Sequence, residues 1–492
     1  MTNPNRSTSG IWPFVGLERD LPLLGYSAGN FGKNLLLASV DVTLVFMLTD
    51  LLGVAPTSVS ILMLLVLAGD LVFDLGAGLL ASWSQSIGVG YRRLIVLGAV
   101  PCGAAFALLY SLPALGERRF GALAATLLIF RAAYAIIDVP HNSLLVRVAA
   151  DSRARGRTSG YRIIFSSLAS LGIAVLLAPS VQNAAGGAGP GMLATLGVSG
   201  GLLFCLALGL AAWSSRNAAG PSAGRKPRAS RVTLLPKLDR LLAGIAVVAF
   251  VTGFATPMFS RMVLYLSTYV FGHPAFASHI LIAIILGQFL GALLWIHLVR
   301  FREKTTLLAV SHAVAAGGFL LFALVGARPE PLIAVSVLIG VGLAGVFMLP
   351  WGILADVVDF AEFRHRERRE TATFALVLVI IKAGGAASAG VIGWTLGQLG
   401  YTPGAHQAWA VLVGMKALAC GVPIIGGLVA ILVLSRLSIG HLAHARILRA
   451  LGARRLRADQ GSSGSMGSIR SEDAAGRKVS STGESLFSTL PG

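Results

Sequence analysis

This sequence predicts an all-α polytopic membrane protein, with twelve transmembrane helices in two six-helix bundles. Three observations lead there. Of 492 residues, 55% are hydrophobic and only 12% are charged, whereas soluble globular chains carry about 25% charged residues. The apolar residues gather in runs of about 20 or more, long enough to cross a hydrocarbon core, with no strand-like alternation competing. The runs fall six and six around one long polar stretch, 214–240.

The first span, near 24–48, follows a polar stretch without an apolar h-region, so it is expected to serve as its own insertion signal. The next five lie near 57–82, 93–113, 120–146, 160–181 and 191–213. The second six lie near 241–270, 276–299, 306–326, 331–354, 373–397 and 408–435. The 59 glycines suit close approach of such helices. Cys102, Cys205 and Cys420 all fall inside spans and read as small packing residues.

The loops sort by charge. One side carries Arg92 and Arg93, Arg147, Arg153, Arg155 and Arg157, then Arg300, Arg302 and Lys304, then Arg364, Arg366, Arg368 and Arg369. The other side carries Arg118, Arg119 and Arg328. The positive-inside rule then puts both termini in the cytoplasm of a bacterial inner membrane. The formal net charge of +19 is thereby a matter of topology, and nucleic-acid binding is not expected.

Four regions follow: a six-helix bundle over 1–213, a basic cytoplasmic linker over 214–240, a second bundle over 241–436, and a cytoplasmic tail over 437–492. The tail opens with His441, His444, Arg446, Arg449 and Arg454 among leucines, then turns Gly/Ser-rich and is expected to be partly disordered. Basic clusters after spans 2 and 8 suggest a duplicated six-helix unit, an architecture that places a site near the midplane between bundles.

Inside the spans, charged residues need a partner or a task, because each costs roughly 2.5–3.5 kcal/mol on insertion scales. Asp70 and Asp74 stand one helical turn apart in span 2 and leave the same face. Two such carboxylates either hold a cation or share a proton, since like charges that close resist joint ionisation. This points to ion-coupled transport, with Na+, Li+ or H+ as the ion and no other cofactor. Span 11 supplies Lys382, an internal counter-ion able to compete with the cation for these carboxylates.

Span 4 carries Arg131, Tyr134, Asp138, His141 and Asn142 around Pro140, which loosens the helix next to a cavity. Span 1 carries Lys33, Asn34 and Asp41, the last two sharing a face two turns apart; span 5 opens with Tyr161 and Arg162. Lys33 and Arg162 fit either ligands or interfacial residues that snorkel. Arg131 fits a structural partner for an acid, and His141 a satisfied helix histidine. The loop after span 10 holds Asp356, Asp359 and Glu362, expected to pair with arginines such as Arg369 and latch the two bundles at the cytoplasmic side.

This constellation resembles the glycoside–pentoside–hexuronide:cation symporters, the melibiose-carrier branch of the major facilitator superfamily, over nearly all of 20–436. Gly25-Tyr-Ser-Ala-Gly-Asn-Phe-Gly-Lys-Asn34 with Thr49-Asp50 resembles the family's opening helix. Asp70-x-x-x-Asp74 resembles its cation motif, and Asp138-Val-Pro its sugar-binding Asp-Ile-Pro. Tyr161-Arg162, Ala355-Asp-Val-Val-Asp-Phe-Ala-Glu-Phe363 and Lys382 follow in the same order. The chain departs at Asn34, where the melibiose carrier has an acid, and at Asn142, where it has a stacking tryptophan.

The resemblance implies a cation-coupled symporter of a sugar, glycoside or uronide, and the chain is expected to be monomeric. Its cation would sit at Asp70, Asp74 and Lys382, and its substrate at Asp138, Asn34, Asp41, Arg162, Tyr134, Asn142 and Lys33. Membrane lipids would surround it. Two other readings stay open: a sodium-coupled lysolipid carrier of the same fold, and a proton-driven exporter using Asp138 or Asp41. Neither His-Glu-x-x-His nor a suitably placed Gly-x-Ser-x-Gly occurs, so an intramembrane enzyme is not expected.

Overall fold

In the computed structural model, residues 17–149, 152–216, 239–299, 301–365, 370–437 and 449–450 are described. The linker over 217–238, the tail beyond 437 apart from two residues, and Arg369 of the expected latch lie outside them. Among the described residues, twelve helices are long and apolar enough to span a membrane. They are α1 (Asp20–Leu51), α2 (Pro56–Ala81), α3 (Tyr91–Ser111), α4 (Phe120–Leu145), α5 (Gly160–Ala188) and α6 (Gly191–Ser214). The second half holds α7 (Arg240–Val270), α8 (Phe276–Leu298), α9 (Lys304–Val325), α10 (Pro329–Arg364), α11 (Thr373–Gln398) and α12 (Trp409–Ser435).

The two halves pack by the same rule. In the first, α3 meets α6 and α4, α1 meets α6 and α5, and α2 meets α4. In the second, α9 meets α12 and α10, α7 meets α12 and α11, and α8 meets α10. Each pairing in one half has its counterpart six helices later. The likeness reaches local geometry: α1 and α7 both end in a single π-helical turn, Met47–Leu51 and Leu266–Val270. Such turns cluster at functional sites.

Glycine makes the tightest crossings possible. A Cβ on Gly287 of α8 would lie 2.1 Å from the Val337 carbonyl oxygen, and one on Gly340 of α10 would lie 2.2 Å from that of Ile284. Gly103 and Gly201 bring α3 and α6 together in the same way in the first half. Large apolar side chains remain exposed around the outside, among them Leu79, Leu97, Leu206 and Leu324. That is the expected surface for a chain whose solvent on that side is lipid rather than water.

The bundles join across α2 and α11, α1 and α7, and α5 and α8. One expectation is corrected here. Asp356, Asp359 and Glu362 do not lie in a loop; α10 runs on as helix through them. The apolar window ends near 354, but 355–363 contains neither Gly nor Pro, and Val357 and Val358 remain buried, so nothing stops the helix where the hydrophobic span stops.

Candidate functional site

The two carboxylates of α2 point into the space between the bundles, and each has a cation of its own. Arg131 of α4 grips Asp70 with both prongs of its guanidinium: Nε donates to Oδ1 at 2.6 Å and Nη2 to Oδ2. The planar fork matches the carboxylate and makes this a bidentate pair. Asp74, one turn on, receives Lys382 Nζ from α11 of the other bundle. The two pairs differ in burial. Arg131 and Asp70 are 15% and 10% exposed, whereas Lys382 and Asp74 are 37% and 29% exposed. The tighter pair is held within one bundle, and the looser one ties the bundles together.

A second polar group lies within the first bundle. Lys33 Nζ of α1 is buried and reaches Asp138 Oδ1 at 2.5 Å and Asn142 Oδ1 at 3.1 Å, both on α4. Asn142 is the hub. Its Oδ1 also accepts from Arg162 Nη2 of α5 at 2.9 Å, and its Nδ2 donates to Asp138 Oδ1 at 3.1 Å, one turn back. Arg162 Nε donates to Asn30 Oδ1 at 2.9 Å. Among the described residues, Arg162 has no carboxylate in contact; its guanidinium rests on two neutral amide oxygens. His141 stacks on Tyr26 with ring centroids 4.7 Å apart, and its Nδ1 lies 3.5 Å from Lys33 Nζ.

The other expected substrate residues are placed differently. Asn34 turns to α5, donating to the Ser166 carbonyl at 2.8 Å and to Ser170 Oγ at 2.9 Å, which uses both of its amide protons. Tyr134 packs its ring beside Phe130, with centroids 6.2 Å apart. Asp41, although on the same helix as Asn34, belongs to a contact between bundles. Arg261 of α7 donates to Asp41 Oδ1 at 3.1 Å, to the Asp41 carbonyl at 3.2 Å, to the Gly385 carbonyl at 2.7 Å and to Ser388 Oγ at 3.0 Å. Gly385 and Ser388 stand on α11 within two turns of Lys382.

Beyond Arg261, towards the end away from the basic loops, a further cluster closes the bundles on each other. Asp50 accepts from Thr49 Oγ1 at 2.6 Å, from Tyr401 Oη at 2.5 Å and from Tyr269 Oη. Tyr265 Oη meets Thr49 Oγ1 at 2.6 Å, and Ser60 Oγ donates to the Gly390 carbonyl. Gln182 of α5 bonds Thr268 Oγ1 at 3.1 Å. Sequence reasoning gave these tyrosines no role: Tyr401 lies 351 residues from Asp50, in the connection between α11 and α12. The one local signal was an aspartate at the end of an apolar run.

At the basic end, Lys304 Nζ bonds both Asp356 oxygens, at 2.9 and 2.8 Å. This partner belongs to the same bundle as Asp356, so the contact braces α9 against α10 rather than joining the halves. Asp359 and Glu362 stand half-buried on the same helix.

Between the bundles, with Lys382 in its wall, is a cavity of about 320 Å³. Asp41, Asp70, Arg131, Arg261 and Lys382 border it, and the rest of its lining is mostly hydrocarbon from α1, α2, α4, α7, α9, α10 and α11. Two matched bundles, a midplane cavity and paired charges within the membrane define a secondary transporter of the major facilitator class.

The chain belongs to the family described as MFS/sugar transport protein, whose model matches residues 25–441. Among similar proteins, the inner membrane symporter YicJ of Escherichia coli (strain K12) is 24% identical over 77% of this chain and 82% of its own length. The glucuronide carrier protein homolog of the same organism is 24% identical over 82% of this chain and 88% of its own length. Among solved structures, the nucleoside transporter NupG (D323A mutant) superposes with a TM-score of 0.58 at 13% identity, over 84% of this chain and 99% of NupG. That likeness shows the fold. The resemblance to the glycoside–pentoside–hexuronide:cation symporters read from the motifs is thereby shown, and the chain is an integral membrane protein of the bacterial inner membrane.

Proposed function

We propose that the protein is a symporter that couples entry of a cation to movement of a sugar, glycoside or uronide by alternating access. The observation that carries this reading is the cross-bundle pair of Lys382 with Asp74, beside an Asp70 already neutralised by Arg131. A cation entering between the two carboxylates competes with Lys382 for Asp74. Winning that competition releases α11 from α2. The cation thus acts on the equilibrium between two arrangements of the bundles through its different affinity for each.

In this reading Asp70 and Asp74 bind Na+, Li+ or H+, and Lys382 is the internal counter-ion. Lys33, Asp138, Asn142 and Arg162 take the polar part of the substrate. Asn34, fixed to α5, positions Lys33, and Tyr134 holds the α4 face on which Asp138 stands. Asp41 with Arg261, and Asp50 with its tyrosines, lock the far end while the site serves the basic side. Asp356, Asp359 and Glu362 act at the basic end when the bundles exchange which side is closed.

The test is thermal stabilisation of the purified protein by sugars, glycosides and uronides, each with and without Na+ and at two pH values. A ligand that binds the folded state raises its apparent stability. The reading expects a sugar-class ligand whose effect depends on Na+, Li+ or pH and is lost in Asp70→Asn. Stabilisation indifferent to all three ions would refute cation coupling.

A further inference from the structure

At the basic end, the outer sides of α3 and α6 carry three arginines without an acid. Arg92 and Arg93 lie in the first turn of α3, Arg216 follows α6 directly, and all three are exposed. Neither 75–116 nor 152–238 contains an Asp or Glu. Asp20 of α1, at the same end, is buried and accepts from Tyr161 Oη of α5 at 2.8 Å. Arg92 Nε donates to the Ala212 carbonyl at 2.8 Å, one of the carbonyls left open where α6 ends. Arg216 lays its guanidinium over Trp213, 4.4 Å from the ring centroid. Among the described residues, no carboxylate contacts any of the three, and the terminal NH2 groups of Arg92 and the whole Arg93 guanidinium remain open to a ligand.

Next to these charges the exposed surface is hydrocarbon. On α3, Val96 and Val100 continue the line of Arg92 at intervals of four, and Leu97 that of Arg93. On α6, exposed Leu206, Leu210 and Trp213 lead up to Arg216. A cationic head above an apolar stripe complements the two parts of a phospholipid, its phosphate and its acyl chains.

The second half of the chain supplies an internal comparison. The matching place lies between α9 and α12, where Arg302 precedes α9 and Arg436 follows α12. There Glu303 stands between Arg302 and Lys304 in the sequence, and Lys304 is engaged by both oxygens of Asp356. Two acids among three cations leave a single net charge, whereas the α3–α6 end keeps all three of its own.

We propose that the basic end of α3 and α6 is a binding site for an anionic phospholipid, with its phosphodiester held by Arg92, Arg93 and Arg216 and its acyl chains laid along the two helices. The guanidinium fork matches phosphate in geometry as well as charge. Anionic lipids of the inner leaflet lie at the level of these residues. The bound lipid ties the end of α3 to the end of α6, adding to the contact that Arg92 already makes with Ala212. This site lies outside the transport pathway and is independent of the symporter reading.

The experiment is native mass spectrometry of the full chain in neutral detergent, following binding of the first lipid. The probes are dioleoyl phosphatidylglycerol, dioleoyl phosphatidylcholine and glycerol phosphate. Each arginine near the head group is worth about fivefold in affinity. Arg92→Gln/Arg93→Gln/Arg216→Gln is therefore expected to weaken phosphatidylglycerol binding about a hundredfold. Arg93→Gln alone breaks no side-chain contact among the described residues, so it is expected to weaken binding about fivefold with the melting temperature unchanged. Arg302→Gln/Arg436→Gln, in the second half, is expected to change it by less than about twofold.

Equal affinity for phosphatidylglycerol and phosphatidylcholine, unchanged affinity in Arg93→Gln, or as large a loss in the second-half variant as in the triple variant overturns the assignment. Glycerol phosphate bound as tightly as phosphatidylglycerol overturns it too, because the acyl chains would then contribute nothing.

Discussion

Replacing Lys382 by methionine removes the ammonium and keeps the length of the side chain, so Asp74 loses its partner from the other bundle while the packing of α11 is largely preserved. The size of the effect follows from burial. Fully exposed ion pairs contribute roughly 0.2–1 kcal/mol, and breaking a buried one costs about 3–5 kcal/mol. Lys382 and Asp74 lie between these limits, with 37% and 29% exposure, which places the net attraction near about 1–2 kcal/mol. A cation that binds between Asp70 and Asp74 must overcome that attraction in the wild type and is spared it in the variant. Its dissociation constant is therefore expected to fall by about five- to thirtyfold. Ligand-driven uptake should nevertheless slow, because no internal cation remains to displace the ion and close the cycle. Calorimetric titration with Na+ or Li+, alongside proteoliposome uptake, reads both quantities. Unchanged or weaker cation binding in Lys382→Met would refute the argument that lysine and cation compete for one carboxylate.

Three further outcomes follow from other parts of the molecule. Asp50→Asn removes the charge that strengthens the hydrogen bonds from Thr49, Tyr269 and Tyr401. Losing about 1–3 kcal/mol there should raise the population open at the far end, measured as a longer distance between spin labels at Leu115→Cys and Trp409→Cys. Gly253→Ala sets a Cβ 2.3 Å from the Ile381 carbonyl oxygen, backbone that cannot rotate away, and should cost about 1–3 kcal/mol, seen as a lower melting temperature. In the connection before α4, Arg119 beside Glu117 holds its carboxyl down at about 2, against an ordinary 4.5. Because the folded value is depressed, this pair stabilises the fold above about pH 4.5 and ceases to as pH falls towards 2. Both groups face water, so Glu117→Gln should change the melting temperature only slightly at pH 7 and not at all near pH 2.

The spans were legible because hydrocarbon imposes its own length rule, and every membrane-spanning segment lies within a few residues of the apolar run that marks it, except at two ends. α5 continues to Ala188 through two π-helical turns, and α10 continues to Arg364 on residues polar enough to leave the membrane but still good helix formers. Hydropathy reads the membrane boundary, and these helices do not stop there. The pairing of charges was less accessible. Asp70 and Asp74 look equivalent by spacing, yet one is clasped by Arg131 within its bundle and the other meets Lys382, 308 residues away. Asn34 and Asp41 share a helical face by period, but α5 claims the first and α7 the second, because a helix bordered by several neighbours divides one face among them. Asp50 and its tyrosines were beyond reach, since Tyr269 and Tyr401 meet Asp50, and Tyr265 meets Thr49, only when the two bundles close.

The measurement that bears most directly on the account is cation affinity with and without saturating ligand, in the wild type and in Asp74→Asn. Linkage requires ligand and cation to strengthen one another by the same factor. The account predicts that in the wild type the sugar, glycoside or uronide that stabilises the protein tightens Na+, Li+ or H+ binding, that the cation tightens binding of that ligand equally, and that Asp74→Asn abolishes both. Ligand binding that ignores the cation in the wild type, or coupling that survives in Asp74→Asn, would contradict it.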